Sequence, residues 1–371
     1  MQRVIENFLE YVKIDTQSSE DSAETPSTQK QHNLAGLLVR QLTEIGAEEI
    51  TYDREHCYVY ASVPASKGCE DAPVIGFIAH MDTSPAVTGE GVKPRIVENY
   101  DGKDILLNQE KKIVMKVEDF PELPSYQGKR LIVTDGTTLL GADDKAGVAE
   151  IMAMAEELLT HPEILHGKIR IGFTPDEEIA RGAKHFDVEG FGADYGYTLD
   201  GSAEGEIQYE NFNASTAVFT IHGVSVHTGT AKDVLVNSQT LAAEIHQMLP
   251  ESERPETTEG YEGFYHLVSV NGTVTETKMK YFIRDFDRGN FKAREDKLRQ
   301  IAAEMNKKYG EGKVEVEITE SYRNMREMVE PCYQLVEYAL AATKAAGVEP
   351  DVAPIRGGTD GAGTSSASPR Q

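Results

Sequence analysis

The chain has 371 residues, 39% of them hydrophobic, which is enough apolar surface for more than one buried core. Its 62 acidic and 37 basic residues leave a formal net charge of −25, which argues against a nucleic-acid partner held by phosphate neutralisation. Cys57, Cys69 and Cys332 form no CxxC pair, so neither a disulfide framework nor a thiolate metal site is expected and a reducing cytoplasm fits best.

The opening stretch MQRVIENFLEYVKID is charged throughout and puts Val4, Ile5, Phe8, Leu9 and Val12 on one side of a helix. That is not a signal-peptide pattern. No apolar run approaches the ~20 residues needed to span a bilayer, so no membrane partner is expected. A helix is predicted over 29–45, followed by strands at 58–64 and 73–80. The Pro-, Gly- and charge-rich segment from Thr83 to Lys129 reads as an elaborated loop over a sheet edge. A helix at 145–159 and strands at 168–175 and 195–200 complete this half. Several of these strands are short continuous apolar runs, the pattern of a parallel or mixed sheet covered on both faces, and the class is α/β.

From about Gln208 the pattern changes to a strand at 214–227, a helix at 237–250, and paired strands through 264–287 with Asn271-Gly272 as the turn. A helix at 291–309 and a strand at 313–322 come next. The order βαββαβ is that of a ferredoxin-like domain, inserted into the first. The chain then returns through a helix at 332–347 to 354-PIRGGTDGAG-363. The expected division is 1–207 and 326–362 for the first domain and 208–325 for the inserted one, with a Ser- and Pro-containing tail, 363–371, expected to be disordered.

Chemistry-bearing residues gather at strand ends. His80 and Asp82 end one apolar run, Asp143 and Asp144 precede a helix, Glu177 and Glu178 come after another run, and Asp200 ends 195-YGYTLD-200. All are donors suited to a borderline or hard cation, and in open α/β sheets ligands collect at the carboxyl ends of strands. Each piece alone has a plain alternative: a capped turn for HxD, a helix N-cap for the aspartate pair, a solvated turn for the glutamates, and an Asp-Gly turn at 200–201. Their conjunction on an α/β pattern favours a shared site, where a cation removes the repulsion between the adjacent glutamates.

The motifs 79-AHMDTSP-85, 141-GADDKAGVAEIM-152, 174-TPDEEIARGA-183, 196-GYTLDGS-202, 222-HGVSVHTGTAKD-233, 284-RDFD-287 and 355-IRGGTDGA-362 together resemble the M20 metallopeptidases, and within them the tripeptide aminopeptidases. The resemblance implies a zinc-peptidase catalytic domain and a ferredoxin-like dimerisation domain, a homodimer acting on small peptides, and two zinc ions per subunit. It implies that His80 and Asp200 hold one zinc, Glu178 the other, and Asp143 bridges them. Glu177 would be the general base and Asp82 the group orienting His80. His227 would stabilise the oxyanion in the partner subunit's site, although Thr228 stands after it where the family has proline. Arg284 and Arg356 would meet the peptide carboxylate, Gly357 and Gly358 would let backbone approach the substrate, and Asn211 would contact the peptide's amino end, with a structural role for Asn211 equally open.

The resemblance departs after Ala362, where the family continues with a segment that includes a histidine ligand to the second zinc. Here the chain reads GTSSASPRQ instead, and all ten histidines lie at or before His266. The expectation is a shortened chain with an incomplete second zinc site and impaired activity. Two rivals stand beside the tripeptidase: another M20 activity, such as a dipeptidase or deacylase, and a non-catalytic protein that binds peptide or metal.

Overall fold

The structure, a computed structural model, describes residues 2–200, 203–359 and 361. These fall into two compact units, one reaching to Ala203 and one beginning at Glu204. The elements of the first are α1 (Gln2–Tyr11), α2 (Gln31–Ile45), β1 (Glu48–Asp53), β2 (Tyr58–Val63), β3 (Ile75–His80), β4 (Arg95–Val97), β5 (Ile105–Asn108), β6 (Ile113–Met115), β7 (Leu131–Val133), α3 (Ala142–Thr160), β8 (Ile169–Thr174), α4 (Val188–Phe191) and β9 (Tyr195–Thr198).

Its main sheet has the order β1-β2-β8-β3-β9. The β1–β2 and β2–β8 pairs are antiparallel, whereas β8–β3 and β3–β9 are parallel. Every residue of β2 and β8 is buried, which is why these strands read as unbroken apolar runs rather than alternating ones. Helix α2 presents Leu34, Leu38 and Leu42, all fully buried, at four-residue spacing, and ends at Gly46, whose φ of 85° suits glycine. Strand β1 escaped the sequence reading because EEITYD is a mostly polar edge strand in which only Ile50 and Tyr52, half-buried on one face, pack against the core. The 83–129 segment carries only short paired strands, β4 with β7 and β5 with β6, as its composition predicted.

The second unit holds β10 (Glu206–Ile207), β11 (Asn213–His222), α5 (Ser238–Gln247), β12 (Phe264–Gly272), β13 (Glu276–Asp285), α6 (Arg288–Tyr309), β14 (Val314–Tyr322), α7 (Arg326–Val329), α8 (Gln334–Ala345) and β15 (Asp351–Val352). Its four-stranded antiparallel sheet runs β12-β13-β11-β14, the ferredoxin-like order. Alternate residues of β11 and β13 are buried. Phe219, Ile221, Tyr281 and Ile283 form one core with Leu241 and Ile245 of α5 and Leu298 and Ile301 of α6, each fully buried side chain stabilising by about 1.5–3 kcal/mol.

Two boundaries differ from expectation. Strand β11 stops at His222, where the chain changes partners: the Gly223 amide donates to the Thr275 carbonyl at 2.8 Å and Val224 bridges Val236, and the approach at Gly223 leaves no room for a Cβ, which would lie 2.0 Å from the Val274 carbonyl. The hairpin turn falls at 273–275 rather than at Asn271-Gly272: Gly272 still pairs with Thr277, and the Thr273 amide donates to the Glu276 carbonyl at 2.7 Å.

Residues 326–359, which the sequence division joins to the first domain, group here with the second unit. There β15 runs parallel to β10, Ile355 bridges Asn211, and Arg326 pairs with Glu210 at 3.1 Å. No helix among the described residues is long and apolar enough to cross a membrane. Gly201 of the expected Asp-Gly turn, Asp360, Ala362 and the tail 363–371 lie outside the described residues.

Candidate active site and metal centre

The carboxyl ends of β3, β8 and β9 bring together the residues that the sequence separated by up to 120 positions. His80 ends β3 with its side chain 2% exposed. Its Nε2 lies 2.8 Å from Asp143 Oδ1, 3.9 Å from Glu177 Oε2 and 3.9 Å from Asp200 Oδ2. Its Nδ1 faces the other way, 3.1 Å from the Asp82 carbonyl and 3.3 Å from Asp82 Oδ1. One ring nitrogen therefore looks into a carboxylate cluster while the other is occupied behind it. Histidines that bind metals through one nitrogen are oriented in this way.

The two aspartates in the first turn of α3, both with non-helical backbone angles, divide the roles left open by the sequence. Asp144 is 3% exposed, accepts the Gly147 amide at 3.2 Å as a helix cap does, and accepts the His80 amide at 3.1 Å. Asp143, whose side chain is 66% exposed, points at the imidazole. Asp82 is fully buried and accepts the backbone amides of Glu177 at 2.9 Å and Glu178 at 3.2 Å, so the residue after the histidine motif anchors the turn that carries the glutamates.

Charge is unevenly distributed here. Burial alone would lower the His80 pKa, but hydrogen bonds to Asp143 and Asp82 outweigh it and raise the imidazole well above its usual range. The same bond from His80 holds Asp143 below the usual carboxylate range. Burial pushes Asp144 well above that range despite His80. Burial, then the charge of Asp143, pushes Glu178 up to about 7. A cation beside Glu178 would offset the cost of charging that carboxylate.

Two groups of donors satisfy the spacing of a metal site, His80 with Glu177 and Asp200, and His80 with Asp143 and Glu178, each with ligand atoms within 4.8 Å of one another. Nitrogen and carboxylate oxygen in this number suit a divalent ion such as zinc, and the residues fit the group the resemblance implies. A polar cavity of about 710 Å³ opens beside Glu178, lined by Ser18, Ser19, Thr28, Lys30 and Ser84 among others.

The candidates of the second unit have different surroundings. Asn211 is fully buried, its Nδ2 donating to the carbonyls of Phe212 and Arg323 and its Oδ1 accepting the Met325 amide at 2.8 Å. Arg356 donates to the carbonyls of Gly260, Glu262 and Thr258 and lies over the rings of Phe212 and Phe264. Arg284 lies over Phe282 and Tyr322 and donates through Nη1 to the Ser215 and Ile283 carbonyls, its bonds to backbone. Gly358 packs against the Tyr322 ring, where an added Cβ would come within 2.9 Å, whereas Gly357 has room. His227 is exposed, with Nδ1 accepting the Gly229 amide at 3.1 Å and Nε2 facing outward from that bond.

Sequence reasoning missed the supports. Asp176, Ser27 and Gln31 are buried around the turn that bears Glu177 and Glu178. Asp176 stood in the quoted TPDEE motif, but its partners lie about 150 residues earlier and no local pattern connects them.

A family model for the peptidase dimerisation domain of M20 proteins matches residues 209–313. Peptidase T of Clostridium novyi (strain NT) is 56% identical over 362 residues, covering 98% of this chain and 88% of that protein. Peptidase T of Geobacillus sp. (strain WCH70) is 54% identical, covering 96% and 87%. Among solved structures, aminopeptidase PepT from Bacillus cereus superposes with a TM-score of 0.75 at 24% identity, covering 98% of this chain and 87% of that one. A dinuclear metal-binding M20 peptidase from Bacillus subtilis, YXEP, gives 0.61 at 16%, covering 97% and 84%. With the strand-end donors and the ferredoxin-like unit already in place, identity of this extent settles the family: the chain belongs to the peptidase T family of M20 metallopeptidases.

Proposed function

We infer that the chain is a metallo-aminopeptidase that releases the N-terminal residue from tripeptides. The observation that carries this is the pair of donor groups sharing His80 at the ends of β3, β8 and β9, in a chain of this family. We assign zinc, with His80 and Asp200 as one set of ligands, Glu178 for a second ion and Asp143 between them; two ions per chain is the number the resemblance implies. Zinc held there would supply Lewis-acid polarisation of the scissile carbonyl and a lower pKa for the attacking water.

The chain's own groups do the rest. Glu177, with a side chain 19% exposed beside His80, accepts the proton of the water and returns it to the departing amine. Glu177 is also a member of one donor group, with His80 and Asp200, and replacing it separates the base from the ligand: loss of turnover with metal retained marks the base. Asp82 keeps His80 Nδ1 engaged, which leaves Nε2 directed at the other donors. His227 serves the oxyanion in a partner subunit's site, and Arg284 serves the peptide carboxylate, while Arg356, bonded to the carbonyls of Thr258, Gly260 and Glu262, steadies its own loop beside Gly357 and Gly358. Asn211 is placed as a structural residue. The chain works as a homodimer through the 208–325 domain, in the cytoplasm.

The test is release of free amino acid by the zinc-reconstituted chain from a tripeptide and from the same tripeptide acetylated at its N-terminus. Release from the free peptide alone is expected. Equal hydrolysis of both overturns the aminopeptidase reading in favour of a deacylase, and binding of either without turnover overturns the enzyme.

A further inference from the structure

We propose that Asp176, clamped by Ser27 and Gln31, is a positioning residue that sets the direction of the Glu177–Glu178 pair, so that the start of helix α2 acts on the chemistry through the backbone. The proposal rests on the reading of that pair as base and metal ligand.

Asp176 is fully buried, and its carboxylate receives three hydrogen bonds: the Ser27 amide on Oδ2 at 2.7 Å, and the Ser27 hydroxyl at 2.6 Å and Gln31 Nε2 at 2.7 Å on Oδ1. The Asp176 amide donates back to Gln31 Oε1 at 3.3 Å. Gln31, also fully buried, thus engages the backbone and side chain of one residue with both ends of its amide. Neither Ser27 nor Gln31 belongs to a donor group. Their place is outside the cluster, against the residue that precedes it.

The backbone explains why such a clamp is needed. Asp176 has φ 56° and Ala180 has φ 57°, so two residues that are not glycine occupy the left-handed region on either side of the turn 177–179. That conformation is disfavoured for both and persists only where surroundings over-determine it. The Arg181 amide closes the turn on the Asp176 carbonyl at 2.9 Å, and the Ala180 amide closes on Glu177 at 2.7 Å. Asp82 fixes the amides of Glu177 and Glu178, and Gln31 fixes that of Asp176. Three consecutive N–H groups are therefore held by buried side chains from two different parts of the chain. Asp82 also contacts His80; the Ser27–Gln31 clamp touches no ligand candidate, which makes it the support whose effect can be isolated.

The variants are Gln31→Met, which keeps length and apolar volume but neither donates nor accepts, and the milder Ser27→Ala, which removes one hydroxyl. In the metal-free full chain, amide exchange at 177–181 should quicken at least tenfold in Gln31→Met while the rest of the β3–β8 sheet keeps its protection. With zinc restored, kcat on a tripeptide should fall about tenfold with KM within twofold and metal content unchanged, and Ser27→Ala should fall between this variant and the parent. Faster exchange with parental kcat would make the clamp a purely structural patch and overturn the proposal. So would a loss of protection spread evenly through the unit, or an effect confined to KM. If the parent chain itself lacks peptidase activity, the functional reading fails separately, and the clamp is still decided by amide exchange and by the absorption spectrum of the cobalt-loaded chain, where an unchanged spectrum in Gln31→Met overturns it.

Discussion

Two polar regions of this molecule, one buried and one half-open, obey opposite rules. In the second unit Asn211, Asn213 and Asn324 form a closed clasp. Asn211 donates its amide to Asn324 Oδ1, Asn324 donates its own to Asn213 Oδ1, and Asn213 Nδ2 meets the carbonyls of Asp285 and Phe286. Donors and acceptors balance, and all three residues are at most 7% exposed. At the strand ends of the first unit, carboxylates of Asp82, Asp143, Glu177 and Asp200 lie within 4 Å of the one imidazole of His80. Acidic groups outnumber the one imidazole there, and a cation among them would offset their mutual repulsion. A neutral network whose groups are all satisfied holds a fold together, whereas an acid-rich one marks a place where something binds or reacts.

The largest effect that can test this contrast is at Glu177. Glu177→Gln keeps the shape of the side chain but cannot accept a proton, so turnover should fall by about 10²–10⁴-fold, with metal content near that of the parent by elemental analysis. If zinc is lost instead, Glu177 is a ligand and the glutamates exchange roles. The matching experiment in the clasp is Asn211→Ala. It strands the Met325 amide and the carbonyls of Phe212 and Arg323, and about one to three kcal/mol is typical for each buried group left unmade. A fall of about 3 kcal/mol in unfolding free energy is expected by denaturant titration, with KM unchanged at temperatures where the variant remains folded. A raised KM with parental stability would return Asn211 to the substrate.

Metal removal probes the same contrast without mutation. The strand-end cluster should gain stability on binding because the ion binds only the folded arrangement, by about 2.7 kcal/mol at a free concentration one hundred times Kd. Thermal melts with zinc and with chelator measure it. A melting temperature indifferent to zinc would contradict the donor groups at His80.

How much of this could be read from the sequence depends on the range of each interaction. Strands β2, β3 and β8 were legible because burial on both faces leaves continuous apolar runs, and the donors at their ends were legible because strand ends in such sheets converge. Helix α2 was legible from its four-residue leucine spacing. The hairpin turn was misplaced because Asn-Gly is a strong local signal, yet the β12–β13 register carries pairing through Gly272 to Thr277. The Asp176 clamp and the asparagine clasp were invisible for a different reason. Each joins positions more than 100 residues apart through single side chains, and nothing at Ser27 or Asn324 records the partner. Motif reading therefore reached the strand-end donors and the neighbouring Asp82 and missed the supports whose partners lie far along the chain.

The smallest effect concerns the two arginines, which the sequence treated as equals and the structure separates. Arg356 has both terminal nitrogens on backbone carbonyls of 258–262, so it is bound into its own fold as Asn211 is. Arg284 donates to backbone carbonyls through Nη1 alone, with its plane fixed over Phe282 and Tyr322. A fixed guanidinium whose Nε and Nη2 are not committed to backbone is the geometry that takes a carboxylate through two parallel bonds. Arg284→Met should therefore raise KM for tripeptides about tenfold, roughly 1.4 kcal/mol, and leave KM for the corresponding tripeptide amides nearly unchanged, since an amide never offered that charge-assisted pair. Arg356→Met should instead lower stability and affect acid and amide alike. Equal losses on both substrates for Arg284 would remove it from the carboxylate, and a selective loss for Arg356 would show that its carbonyl contacts yield to substrate, moving that residue from the balanced class to the reactive one.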